Sequence, residues 1–347
     1  MATTNELPTG QTALIVLGMH RSGTSALTGV LGLMGCELPK GLMPPDRNNP
    51  KGYFESLKTC YFNDELLGSL GSSWDDWRSL GSDWSNSPGL QQFHRRAAAI
   101  ITEDFGTPQT FVLKDPRICR LLPFWTRVLD DANVSSLFVF VHRDPHEVAA
   151  SLARREGSLE VMGLLRWLRH VLDAEAGSRG RPRVFVSYDL LLQDWRDVVR
   201  HIGTKLNFAW PRSIERAAPA IEEFLSNDLR HFSSGGHEHN REAADGWIEK
   251  VHTILDGWVT HGESEKDYAT LDAVRDALGS ATSMFESLLQ HTEQQRAEAQ
   301  AMREEIELRL AHLETRNMAL ETSTSWRITA PLRWTLLATR GLRKPAS

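Results

Sequence analysis

With 347 residues, 41% of them hydrophobic and 24% charged, the chain holds enough apolar side chain to bury one large domain with appendages, or two modest domains. No uninterrupted apolar run reaches the length that spans a bilayer, and Met1–Gln11 lacks the basic start and apolar stretch of a secretory signal, so the expected compartment is the cytoplasm. A net charge of −6 opposes whole-molecule attraction to nucleic acid, and three widely spaced cysteines, Cys36, Cys60 and Cys119, make neither a disulfide framework nor a thiolate zinc site.

After a flexible N-terminus over residues 1–11, Thr12–Leu17 reads TALIVL, a β-branched and aliphatic run of the kind buried on both faces of a parallel sheet. The sequence ALTGVLGLMG follows Ser25; its Leu27, Val30, Leu31 and Met34 recur at helical spacing and Gly35 is placed to end the element. Thr110–Leu113, Ser136–Val141 and Arg183–Ser187 are further buried strands, each followed by helix-compatible sequence. This alternation predicts a three-layer α/β/α domain with a mostly parallel sheet over residues 12–282. Pro44–Lys51 and Leu70–Gly89 read as irregular connections. Tyr61, Trp74, Trp77 and Trp84 in and near them either pin the loops to the domain, the favoured reading, or line an acceptor groove.

Residues 283–322 form a helical extension. A heptad register from Phe285 to Leu320 places Phe285, Leu289, Ala299, Ile306, Leu310, Leu313 and Leu320 at core positions, interrupted by Thr292, Arg296, Arg303 and Asn317. Such a helix either pairs in a homodimeric coiled coil, with Asn317 fixing register, or stays single. Residues 323–347 carry Arg327, Arg333, Arg340, Arg343 and Lys344 with no acid, interleaved with Trp326, Ile328, Leu332, Trp334, Leu336 and Leu337. A basic amphipathic segment of this kind docks on an anionic membrane surface or a partner, unless it is a disordered tail.

Residues 18–25 read GMHRSGTS, a phosphate-loop spacing with Thr24 where the lysine of G-x-x-x-x-G-K-[ST] would stand. Without that lysine the loop is poorly equipped to hold a nucleoside triphosphate with magnesium. It still cradles an anion: its backbone N–H groups, the hydroxyls of Ser22, Thr24 and Ser25, the turn at Gly23, the guanidinium of Arg21 and the positive end of the next helix converge. A transferring group less negative than a γ-phosphoryl can be stabilised by such fixed donors and cations, so no metal is expected.

GMHRSGTS resembles the 5'-phosphosulfate-binding loop of the superfamily of sulfotransferases that use 3'-phosphoadenosine 5'-phosphosulfate (PAPS), particularly its bacterial members and the tyrosylprotein sulfotransferases. Phe138–Leu152, FVFVHRDPHEVAASL, is similar to that superfamily's 3'-phosphate-binding segment, in which a strand-ending arginine, here Arg143, is followed eight residues later by a serine, here Ser151. The HRD letters are also found in protein kinases, but Ala149 stands where their asparagine would be and no DFG follows. By the same resemblance LKDPR supplies Lys114 to the bridging oxygen of the donor, and FVSYDLLLQDW supplies Tyr188 as an aromatic wall for adenine. NPKGYFES supplies Glu55 as the general base, with His20 the alternative proton acceptor.

The resemblance extends from Leu14 to Phe208. It implies transfer of a sulfuryl group from PAPS to a hydroxyl or amine. The glycine- and lysine-rich loop that completes the 3'-phosphate site in animal cytosolic members has no close counterpart, and Gly235–Gly236 with His237 and His239 is a candidate substitute. The segment SWRITAPLR is similar to the ends of some bacterial polysaccharide-building enzymes, implying a glycan or lipid-linked sugar acceptor handled at the cytoplasmic face of the inner membrane. Two competing readings are a nucleotide-binding scaffold of the same fold and a small-molecule kinase.

Overall fold

The computed structural model describes residues 10–81, 83–225, 245–331 and 333. Four strands, β1 (Thr12–Leu17), β2 (Thr110–Lys114), β3 (Ser135–His142) and β4 (Arg183–Ser187), form one sheet in the order β2-β1-β3-β4. All three pairings are parallel, with Leu14 opposite Val112 on one side and Leu137 on the other. The connections are helical: α1 (Thr24–Leu33), α2 (Leu57–Ser69) and α3 (Leu90–Phe105) precede β2, and α4 (Ile118–Asp131) leads to β3. The helices α5 (Pro145–Glu156) and α6 (Glu160–Ser178) lead to β4, which is followed by α7 (Tyr188–Gln193), α8 (Trp195–Lys205), α9 (Ile214–Phe224), α10 (Asp245–His261), α11 (Tyr268–Thr322) and α12 (Thr324–Ile328).

The period of two in β1 sorts the core into two layers. Ala13, Ile15 and Leu17 pack with Leu66 of α2, Ile101 of α3, Trp125 of α4, Val148 of α5, Trp167 of α6 and Ile248 of α10. Leu14 and Val16 pack on the opposite face with Leu27 and Leu31 of α1, Leu191 of α7, Val199 of α8 and Ile221 of α9. The α/β/α layering expected from alternation is therefore the fold. Complete burial of side chains such as Ile15, Phe111 and Phe138 contributes on the order of 2 kcal/mol each. Both faces being covered is the reason these strands are continuous apolar runs rather than alternating ones.

The parallel arrangement puts the C-terminal end of every strand on one edge. From β1 the chain passes to β2 on one side and then to β3 on the other, so the β1–α1 loop sits at the point where the strand order reverses, where open α/β sheets form crevices.

The chain divides into two compact units, Met1–Ser280 and Ala281–Ser347. The expected boundary after residue 282 falls inside α11 rather than in a linker. Leu271, Val274 and Leu278 in the first turns of that helix belong to the core of the first unit. In the second unit the helix exposes Met302, Ile306, Leu308, Leu310, Leu313, Met318 and Leu320. Ser323 caps α12, its hydroxyl accepting from the N–H of Trp326 at 3.2 Å. Among the described residues no helix is long and apolar enough to cross a membrane. The basic tail beyond 333, like Gly235–Gly236, His237 and His239, lies outside the described residues.

Candidate active site

The β1–α1 loop turns tightly enough to hold Gly18, Arg21 and Gly23 at positive φ, the last two at 71° and 91°. The Ser22 N–H closes the turn on the carbonyl of Met19 at 3.1 Å. A non-glycine residue in that region stores about 1–3 kcal/mol of strain, a cost concentrated at functional loops. Gly23 is the N-cap of α1 and no side chain caps that helix, so its first N–H groups remain available to an anion. A methyl group at Gly23 would lie 2.1 Å from Cδ2 of Tyr188, so the ring of Tyr188 rests directly on the loop backbone.

A cavity of about 340 Å³ opens here. Its lining takes Gly23, Thr24 and Ser25 from the loop and α1, Lys114 from the end of β2, Arg143 from just past β3 and Tyr188 from just past β4. Residues 47–55, between α1 and α2, close another side. Six cations, Arg21, Arg47, Lys51, Lys114, Arg143 and Arg155, face one carboxylate, Glu55. So uneven a lining in a partly enclosed space suits a ligand of several negative charges.

Lys114 holds the centre. Its Nζ donates to Glu55 Oε1 at 2.5 Å, to the Tyr53 carbonyl at 3.0 Å and to Ser25 Oγ at 3.1 Å. Glu55 is placed by Ser56, which caps α2 by accepting from the Thr59 N–H, and by its own carbonyl, which accepts from the N–H of Met43 at 2.8 Å. Burial raises the pKa of Glu55 above the ordinary glutamate value, with Lys114 opposing the rise.

Arg21 donates from Nε to Ser151 Oγ at 2.8 Å and from Nη1 to the Asn48 carbonyl at 3.1 Å. Burial lowers its pKa, with Arg155 and Arg143 adding repulsion. Arg143 sends Nη1 to the carbonyl of Arg21 at 3.0 Å and Nε and Nη2 to Glu147 Oε2 at 3.0 and 2.8 Å. Its guanidinium lies 4.7 Å from the ring centre of Tyr188. The mid-chain arginine, the loop and the aromatic wall therefore meet on one side of the molecule.

Two of the expected residues stand behind the lining rather than in it. Ser151 is buried in α5 and bonds to Arg21, so here it positions the loop arginine, whereas the resemblance had it share an anion with Arg143. Ser22 is buried too, and among the described residues its Oγ has no hydrogen-bond partner. An orphaned hydroxyl next to uncapped helix N–H groups suits an anion.

His20 is in the lining, edge-on to Trp74 with ring centres 4.9 Å apart, and among the described residues its buried Nε2 has no partner. Burial first, and then Arg117 and Arg155, lower its pKa well below 6.5 and keep it neutral. None of Tyr61, Trp74, Trp77 and Trp84 lines the cavity. The three tryptophans pack against the core, which is the pinning role, while Tyr61 is 67% exposed. Three arginines fix their loop by its carbonyls: Arg120 on Asp76 and Arg78, Arg166 on Asp75, and Arg169 on Trp77.

Among the described residues one trio, Glu55, Cys60 and Asp115, has ligand atoms close enough to share a metal ion. Its chemistry is unsuited to one. Lys114 already neutralises Glu55, Arg117 pairs with Asp115 at 3.1 Å, and burial pushes the Cys60 thiol up to about 12.

No family model and no curated protein matches the sequence. Solved domains similar to it include two sulfotransferase domains. One is the sulfotransferase domain from the curacin biosynthetic pathway, 15% identical, covering 71% of this chain and 99% of that domain with a TM-score of 0.40. The other is the sulfotransferase domain from the Synechococcus PCC 7002 olefin synthase, also 15% identical, covering 67% of this chain and 92% of that domain with a TM-score of 0.36.

Sequence reasoning missed three of the six cavity cations, Arg47, Lys51 and Arg155. Lys51 was in view within NPKGYFES, where the clue was a lysine beside a glycine in a loop already linked to the site. Its Nζ reaches the carbonyl of Phe224 at 2.5 Å, tying the loop to α9. Arg155 sits on the helix that carries Ser151, one turn further along, so helical periodicity could have found it.

Proposed function

We propose that the chain is a sulfotransferase that moves a sulfuryl group from PAPS to an acceptor hydroxyl or amine. One observation carries the reading: Arg143 donates to the carbonyl of Arg21, and both line one cavity with Gly23 and Tyr188. Two cationic groups 122 residues apart in sequence thus line one cavity, which supports a ligand with phosphates at both ends of its adenosine.

In this reading the first turn of α1, Ser22, Thr24, Ser25 and Arg21 hold the 5'-phosphosulfate, while Arg143, steadied by Glu147, holds the 3'-phosphate and Tyr188 stacks on adenine. Transfer forms a bond from the acceptor oxygen or nitrogen to sulfur and breaks the bond from sulfur to the bridging oxygen, which keeps the electron pair. Lys114 neutralises charge developing at that oxygen. Glu55 takes the acceptor's proton, a role to which its raised pKa suits it. The acceptor we favour is a sugar hydroxyl of a glycan or lipid-linked precursor at the cytoplasmic face, from the likeness of residues 325–333 to polysaccharide-building enzymes.

Calorimetry with adenosine 3',5'-bisphosphate tests the donor class without knowledge of the acceptor. Binding at least tenfold tighter than that of adenosine 5'-monophosphate is expected, and equal affinities would refute the two-ended grip. Labelled PAPS bound but never turned over with any acceptor would favour the scaffold. Chelator-sensitive use of ATP would favour the kinase.

A further inference from the structure

We infer that the second unit pairs with a second copy of this chain as a parallel, in-register, two-stranded coiled coil over residues 299–321. The argument is one of charge as well as apolar surface, and it is independent of what the first unit catalyses.

Along α11, Ile306, Leu310, Leu313 and Leu320 are spaced four, three and seven residues apart and are 50–58% exposed. With Ala299 and the polar Arg303 and Asn317 they complete alternating spacings of four and three, the seam of a left-handed coiled coil. Leu308 and Met318 are exposed as well, but they lie off this seam on the outer face.

The residues flanking the seam divide by sign. Glu307, Glu314 and Glu321 lie along one flank, and Met302, Arg309 and Arg316 along the other. In a parallel pair each residue of the second flank meets a residue of the first flank five positions on in the other chain. Arg309 then faces Glu314 of the second copy and Arg316 faces Glu321. An antiparallel pair would instead set arginine against arginine and glutamate against glutamate. Among the described residues no ion pair within the helix engages these four, whereas Glu307 is held at 3.1 Å by Arg303 of its own chain.

That internal pair also makes Arg303 tolerable at a seam position, since the guanidinium is neutralised before it meets its counterpart. Asn317 lies between Leu313 and Leu320, where an amide bonds best to the same amide across a two-stranded axis. Charge, polar seam residues and apolar spacing all select the same partner, orientation and register.

Sedimentation of the full chain at micromolar concentration should give the mass of two chains. A monomer or a trimer would overturn the proposal. Leu310→Cys should form an interchain disulfide on mild oxidation and Leu308→Cys should not; a dimer in which Leu310→Cys fails to cross-link would overturn the parallel register. A chain carrying R309E and R316E, and a second chain carrying E314R and E321R, should each be monomeric alone and form a heterodimer when mixed. Failure of the mixture to associate would overturn the flank pairing.

Discussion

Lys114 and Glu55, 59 residues apart in sequence, meet in a 2.5 Å hydrogen bond where neither side chain is more than 4% exposed. The pair sets the cation proposed for the leaving group against the carboxylate proposed for the base. Removing either partner leaves a buried charge without its counterpart, so the two substitutions report different things.

Glu55→Gln preserves shape and hydrogen bonding and removes the proton acceptor. Turnover should fall roughly 10²–10⁴-fold, the range for loss of a general base, with donor affinity within a few-fold. In the parent protein the rate should rise with pH, because the base must be ionised, and burial should move that limb above the ordinary glutamate value of 4.5. A rate–pH profile unchanged in Glu55→Gln would transfer the base role to His20.

Lys114→Ala should cost about 3–5 kcal/mol of stability, because it strands a buried carboxylate. The loss is smaller at low pH, where Glu55 protonates. Urea unfolding at two pH values measures it, and equal losses at both would show that the cost does not come from a stranded carboxylate.

Gly23→Ala drives a methyl group into the ring of Tyr188 at a φ of 91°. Affinity for adenosine 3',5'-bisphosphate should fall at least tenfold, since the ring or the loop must move. Adding Tyr188→Ala to Gly23→Ala should restore stability without restoring affinity. Recovery of both would show that the ring is no part of the nucleotide site.

The sheet was legible in the sequence because each parallel strand is a short apolar run bounded by polar turns, and the loop because its chemistry is contiguous over GMHRSGTS. The wiring between them was not. Arg21 finds Ser151 across 130 residues and Lys114 finds Glu55 across 59, and such pairings follow from the strand order rather than from any local pattern. The partnership of Arg143 with Ser151 is what the resemblance of Phe138–Leu152 to a 3'-phosphate-binding segment implies. Glu147, four residues after Arg143, instead takes the near position on that arginine, an i,i+4 match that the sequence displays.

Ser22→Ala separates binding from folding. Among the described residues its buried hydroxyl has no partner, so its removal should leave stability unchanged or slightly improved. Donor-nucleotide affinity should nonetheless drop several-fold by calorimetry. A stability loss with unchanged affinity would make the hydroxyl structural.

Arg120 is buried between Asp173 at 2.8 Å and the carbonyls of Asp76 and Arg78. Arg120→Met keeps the stem and strands both carbonyls and the carboxylate, so the loop that carries Trp74 against His20 should loosen. Hydrogen exchange of residues 72–80 should accelerate while exchange in β1 does not. Uniform acceleration across both would mean global destabilisation instead.

Acid should unfold the protein in part through two buried histidines, in addition to His20 in the cavity wall. Burial lowers His142 and His170 to about 3, with His252 and Arg120 respectively adding repulsion. An unfolded histidine titrates near 6.5, so each contributes stability that is complete above that pH and is lost as pH falls from 6.5 towards 3. Once the unfolded chain is protonated, these two contribute about 2.7 kcal/mol per pH unit to the slope, and His20 adds to it. His170→Gln cannot take up the proton and should lower the slope by about 1.4 kcal/mol per pH unit between pH 5.5 and 4 in urea titrations. A slope equal to that of the parent would mean that His170 charges within the fold.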